Sequence, residues 1–319
     1  MVTDNNFDGS AEIFTLRQIG NEHGDEEVRT LTGKVSIIGG TITKVFNSGS
    51  DKAFPYESWM YERFGSQEVE LPDGVDVPRL IDCSADTGTI RYSKIPGSPL
   101  DMRILGVMEP KELDNIFLIL GKCLGKLHDL GSDPEFIGPE EKVWIENRGN
   151  FPGVFLERAK LLAPQGDLGA NNSELAQASI EYIENTQLAP SELVLGHNDL
   201  HGSNLLVGKD QFGKQELKGI IDFANVNYIP PAADFRKALR FGARVIRSAI
   251  DGYFEERRFP IDINASLAFG ILTYMMRYRM VQTDSSISGA MTREIMSLCE
   301  RRVEQAKQDF VSEISSLSS

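Results

Sequence analysis

The chain has 319 residues and a formal net charge of −14, from 33 basic and 47 acidic side chains. Duplex nucleic acid and anionic membrane surfaces need clustered Lys and Arg, so this balance argues against both as main partners. The apolar content, 41% of residues, is ample for the core of one large domain or two lobes.

In chain order, residues 1–27 are polar and rich in Gly, Asp and Glu, which predicts a loosely packed lead-in. Val28–Thr32, Lys34–Ile38 and Thr41–Phe46 read as three short antiparallel strands. Gly39-Gly40 is the two-residue turn between the last two. Lys44 is in phase with Ile42 and Phe46 on what should be an apolar face. A lysine there needs a partner or an anionic ligand, unless the strand is a solvated edge.

Phe54–Phe64 reads as a helix with Pro55 in its first turn and Tyr56, Trp59, Met60 and Phe64 on one apolar face. Glu57 sits beside that face, either turned to the sheet or favoured there by the helix dipole. Strands follow at Val77–Asp82 and Thr89–Ile95, the latter stopped by Pro96-Gly97. Pro110–Leu130 is a heavily buried helix, and helices are expected at about 150–164, 173–186, 234–257, 263–282 and 289–315. The shift from strands to helices divides the chain into a lobe at 1–94 and a helical lobe at 95–319.

One β-rich island interrupts the helices. Leu193–Leu195 leads into Gly196-His197-Asn198-Asp199-Leu200-His201-Gly202-Ser203-Asn204, and a hairpin from Leu205 to Ile221 brings Asn204 and Asp222 to the same end. This spacing suits phosphoryl transfer. That reaction needs oxygen ligands for Mg²⁺, a cation on the non-transferred phosphates, and a carboxylate to orient the attacking hydroxyl and take its proton. Asn204 and Asp222 fit as the metal pair, Asp199 as the base, and Lys44, held by Glu57, as the phosphate cation. An isolated Asp or Asn in a loop is also an ordinary cap or turn residue. His197 and His201 have a zinc-like spacing, but no Glu follows His197, and Gly196, Gly202 and Ser203 indicate a loop. His197 reads as a loop brace; His201 is left between bracing and a contact to substrate or phosphate.

Cys83, Cys123 and Cys299 lack metal-ligand spacing and fit thiols in a reducing cytosol. Met1–Ser10 does not resemble a targeting segment, and no apolar run approaches the ~20 residues of a membrane helix, so a soluble cytoplasmic protein is expected.

His197-x-Asp199-x-x-x-x-Asn204 followed by Ile220-Ile221-Asp222-Phe223 resembles the aminoglycoside phosphotransferase and choline kinase family, within the protein-kinase-like superfold. Leu200, His201, Leu205 and Leu206 also fit the family pattern, and the likeness spans roughly residues 28–240. It implies an α+β fold, with a small antiparallel-sheet N-lobe and a mainly helical C-lobe. It implies an enzyme using ATP, or GTP, with Mg²⁺ to phosphorylate a hydroxyl of a small molecule such as a cationic amino sugar or amino alcohol. By the same resemblance Ser93 and Ile95 contact adenine from an interlobe hinge, Leu206 and Ile221 form the apolar floor under the base, and Asp234 is structural. No P-loop is present, no Gly-x-Gly-x-x-Gly precedes Lys44, and the turn at Leu31–Lys34 holds one glycine, Gly33. Asp222-Phe223 is followed by Ala224, and an Ala-Pro-Glu activation segment is missing, which disfavours protein substrates.

Overall fold

The computed structural model describes residues 19–20, 26–29, 33–47, 53–67, 69–146, 151–162, 170–186 and 192–283, with short stretches between 296 and 308. Most of the 1–27 lead-in and most of the helix expected at 289–315 lie outside these residues, as do Leu31 and Thr32 of the glycine turn.

Two compact units form, one from Met1–Val107 with His201–Val226, the other from Met108–Leu200 with Asn227–Ser319. A single division after residue 94 does not describe this arrangement. The chain returns to its first unit because its later hairpin completes sheet pairing there.

The first unit begins with β1 (Ile19–Gly20), β2 (Glu26–Arg29), β3 (Gly33–Ile38) and β4 (Thr41–Phe46). Helix α1 (Ala53–Ser66) follows, then β5 (Leu80–Ser84) and β6 (Thr89–Ser93). These strands make one antiparallel sheet in the order β1-β2-β3-β4-β6-β5. Gly39, at φ +58°, turns β3 into β4 as the Gly-Gly signal predicts. Strand β4 lies between β3 and β6, so Lys44 is on a central strand and not on an edge.

The rest of the unit is β7 (Ser98–Pro99), the short α2 (Met102–Leu105) and a returning hairpin. A second sheet pairs β7 with that hairpin in the order β10-β9-β7, with β9 at Leu205–Lys209 and β10 at Gln215–Ile220. Pro99 is opposite Leu206, and Asp76 bridges to Gly219, which draws the hairpin into this unit. The buried face of α1 is Tyr56, Glu57, Met60, Tyr61 and Phe64. Trp59 is only half-buried, so the expected apolar face is rotated. Glu57 and Tyr61, one turn apart, lie inside it.

The second unit is mainly helical: α3 (Pro110–Leu130), α4 (Pro139–Glu146), α5 (Phe151–Leu162), α6 (Ala170–Asn185), α7 (Pro231–Asp234), α8 (Ala243–Arg257) and α9 (Ile263–Thr283). Its two-stranded sheet pairs β8 (Val194–Gly196) with β11 (Asn227–Ile229). Pro110 opens α3, and the Glu112 carboxylate accepts the Glu109 N–H at 3.0 Å.

The helix expected at 234–257 is broken. A 3-10 helix runs from Phe235 to Phe241, and Gly242 at φ +96° resets the chain before α8. A positive φ cannot continue a right-handed helix, and glycine takes it at little steric cost.

Helices α3 and α8 cross closely through glycines. A Cβ on Gly121 would lie 1.8 Å from the Ala249 carbonyl oxygen, and one on Gly252 would lie 1.9 Å from that of Leu118. Gly252→Ala should therefore destabilise by about 1–3 kcal/mol, even though alanine favours a helix by ~1 kcal/mol over glycine. A lower urea midpoint checks this; an unchanged midpoint would mean the helices separate at no cost.

Candidate active site

The first unit holds Lys44, Glu57, Ser93, Ile95, Asn204, Leu206, Ile221 and Asp222. Lys44 is 4% exposed and Glu57 1%. The Lys44 Nζ lies 2.7 Å from Glu57 Oε2 and 3.2 Å from Asp222 Oδ1, so residues 178 positions apart in the chain meet. Burial opposes the charge on Lys44, but the Asp222 and Glu57 carboxylates outweigh it and hold the ammonium well above the usual lysine range. Burial pushes the Glu57 carboxyl up, and Lys44 pulls it back. A solvated edge lysine is thus ruled out for Lys44.

Asn204 ends a 3-10 turn, Gly202–Asn204, and is buried. Its carbonyl accepts the Ile221 N–H at 3.0 Å, so the hairpin ends are tied together one residue before Asp222. The backbone of Asp222 is left-handed, at φ 65° and ψ 67°, and its side chain is 35% exposed. His201 is buried, and its carbonyl accepts the Asn204 N–H at 2.9 Å.

Ser93 is committed to the sheet. Its N–H donates to the Arg79 carbonyl and its Oγ accepts the Arg79 N–H, both at 3.0 Å. Ile95 and Leu206 are buried and Ile221 half-buried.

Sequence reasoning missed Tyr61, which looks like any core aromatic. Its hydroxyl donates to Glu57 Oε1 at 2.8 Å and accepts the Asp222 N–H at 3.2 Å. The only available signal was its position, four residues after Glu57 and so on the same side of the helix.

Asp199 belongs to the second unit, where it is buried and ion-paired through Oδ1 with Lys237. Lys237 was also missed, because a helix continued from 234 to 257 gives no reason to turn it toward the loop. Its neighbour Arg236 donates to both the carbonyl and the side-chain oxygen of Asn198. Asn198 has φ +66°, a conformation that asparagine tolerates better than most residues. His197 braces its own loop: its Nδ1 accepts the Asp199 N–H at 3.3 Å.

Asp234 anchors this loop. It accepts the His197 N–H at 2.9 Å and the Asn198 N–H at 2.6 Å, and its Oδ2 lies 3.1 Å from His128 Nε2. The other ring nitrogen of His128 is 2.9 Å from the Tyr253 hydroxyl, which accepts from Arg257. One tautomer satisfies this chain: Nε2–H donates to Asp234 and Nδ1 accepts from Tyr253. Burial pushes His128 below the usual histidine value against the pull of Asp234. Burial opposes ionisation of Asp234, but the bonds from His128 and Asn198 prevail and hold its carboxyl below the usual carboxylate range.

Among the described residues, no group of three or more His, Cys, Asp and Glu could hold a metal ion. No helix among them is long and apolar enough to cross a membrane.

The sequence of residues 15–262 matches the phosphotransferase enzyme family model, and the chain belongs to that family. It is a phosphotransferase by family, with a kinase-like fold in which a small antiparallel sheet precedes a mostly helical remainder. No sequence match to a curated protein was found.

Among solved structures, the fold is similar to the GDP and kanamycin complex of APH(2")-IIia, at TM-score 0.60 and 16% identity, covering 93% of this chain and 94% of that one. It is similar to the apoenzyme of the macrolide 2'-phosphotransferase MphH from Brachybacterium faecium, at TM-score 0.57 and 15% identity, covering 89% and 92%. A third likeness is to the streptomycin-ATP-APH(2")-IIa ternary complex, at TM-score 0.53 and 18% identity, covering 92% and 94%.

The pKa directions fix a pH dependence. Unfolded histidine takes a proton near ~6.5, where His128 does not, so stability should fall as pH drops below that value. It should fall again below about pH 4, where an unfolded aspartate takes a proton that folded Asp234 does not. Urea midpoints from pH 7.5 down to about pH 2 should show both steps, and His128→Gln should flatten the upper one. An unaltered slope in that variant would rule out a neutral buried His128.

Proposed function

We propose that this phosphotransferase moves the γ-phosphoryl group of ATP, or of GTP, to a hydroxyl of a small molecule. The observation that carries the reading is the buried Lys44 held by Glu57 and Asp222. An ammonium fixed between two carboxylates is a preorganised cation for polyphosphate oxygens, and its position costs no reorganisation when the nucleotide arrives.

Asn204 and Asp222 would hold Mg²⁺, which supplies charge neutralisation on the phosphate oxygens when bound. The fit rests on hard oxygen donors: the part-exposed Asp222 carboxylate, and Asn204 tied to Ile221. With the Ser93 N–H engaged by Arg79, adenine contacts fall to the Ser93 carbonyl and the Ile95 backbone. Leu206 and Ile221 would give the base its apolar floor.

Asp199 orients the acceptor hydroxyl and takes its proton. Lys237 balances the charge of Asp199 from within its own unit, so a cationic acceptor gains little attraction from that carboxylate. Amino sugars and amino alcohols therefore need comparison with neutral nucleosides as acceptors. Nucleotide and small-molecule ligands in the similar structures support the reading at the level of fold.

Nucleoside diphosphate release measured against that panel tests the reaction. Asp199→Asn should lower turnover by about 10²–10⁴-fold while Mg-nucleotide binding survives. Near-normal rates in that variant would remove Asp199 as the base. Asp222→Ala should weaken Mg-nucleotide binding itself in a titration, and an unchanged affinity would remove its metal role.

A further inference from the structure

The polar contacts around Lys44 form a closed circuit in the first unit. Lys44 binds Glu57 Oε2 and Asp222 Oδ1; Tyr61 donates to Glu57 Oε1 and accepts the Asp222 N–H. Strand β4, helix α1 and the segment after β10 each contribute to it. We propose that Tyr61 is a positioning residue for metal-nucleotide binding, its hydroxyl coupling the Lys44–Glu57 pair to the backbone of Asp222. The proposal rests on the metal and nucleotide roles assigned above to Asp222 and Lys44.

Three observations carry it. First, the hydroxyl is saturated by groups of the site: it gives its one proton to Glu57 and takes one from Asp222. A phenol keeps its proton at neutral pH and so remains a donor. Second, Asp222 is left-handed without being glycine, a conformation that persists where surrounding contacts over-determine it. The bond to Tyr61 is one such contact, made at the residue whose carboxylate meets Lys44. Third, the ring is itself immobilised. Tyr61 is fully buried, its centroid 4.7 Å from that of Tyr92 and 6.3 Å from that of Phe223, the residue after Asp222. Phe64 adds an edge contact to Phe223 at 4.8 Å. A hydroxyl on so fixed a ring sets a position; it does not follow one.

Without the hydroxyl, the Asp222 N–H and Glu57 Oε1 lose a shared partner, and the carboxylate is free to leave the orientation in which it faces Lys44. The metal-dependent part of nucleotide affinity should fall. A tyrosine that merely fills the core would alter stability and leave that part unchanged.

Calorimetric titration with ADP separates the two, with Mg²⁺ present and with Mg²⁺ removed by EDTA. Tyr61→Phe keeps the ring and its aromatic contacts. It should weaken Mg-ADP binding by roughly ten-fold, the scale of one lost hydrogen bond to a charged group, and leave metal-free ADP binding unchanged. In an Asp222→Asn background the same change should have no further effect on Mg-ADP. Should Tyr61→Phe fail to give the native circular dichroism spectrum, Tyr61→Met serves the same comparison.

A lower unfolding temperature with both affinities unchanged would overturn the proposal, as would an equal loss in both. A wild-type chain that binds ADP equally with and without Mg²⁺ would instead overturn the metal role of Asp222, and the proposal with it. A wild-type chain that binds neither would overturn the proposed function.

Discussion

A lysine ammonium buried in a sheet has to be compensated, and the first unit is arranged around that requirement. Lys44 sits on a central strand, out of reach of bulk water. An isolated buried charge would give up its proton or the fold. Two carboxylates prevent this, one from helix α1 and one from the segment after β10. Each brings its own constraint. Glu57 must turn into the apolar side of α1, which displaces Trp59 from that face. Asp222 must adopt a left-handed backbone, which Tyr61 and the Ile221–Asn204 bond help to hold. A charge that is costly to bury thereby fixes several groups at once.

The second unit solves a similar problem with opposite sign. Asp234 is a buried carboxylate satisfied by two backbone N–H groups and by His128. Its effect is to set the loop that carries His197, Asn198 and Asp199. Helices α3 and α8 hold His128 and Tyr253 in place, and close glycine contacts fix their separation. Buried pairs of this kind are weak evidence for stability, since hydrophobic replacements often serve as well. Their value here is geometric: each fixes a particular side chain that phosphoryl transfer can use.

Much of this was legible in the chain because the informative features are local. Lys44 stood out because a charged residue broke the apolar phase of a β-branched run. The Asp199, Asn204 and Asp222 spacing was readable because all three lie on one loop and one hairpin, whose register follows from turn residues. Helix α3 was readable from its period and from Pro110. Tyr61 and Lys237 were not. A tyrosine four residues after Glu57 has the composition of an ordinary core residue, and its hydroxyl has meaning only once Asp222 arrives from 161 positions away. Lys237 was masked by a helical pattern that continues in sequence but is broken in space at Gly242.

The sequence by itself determined the class of fold and the family, because periodicity, turn residues and motif spacing are properties of neighbouring positions. Only the tertiary structure decided that Asp222 joins Glu57 in compensating Lys44, that Asp199 is paired with Lys237, and that residues 201–226 return to the first unit. Those outcomes depend on desolvation and on the pairing of β7 with β9, and both act between residues that are distant in the chain.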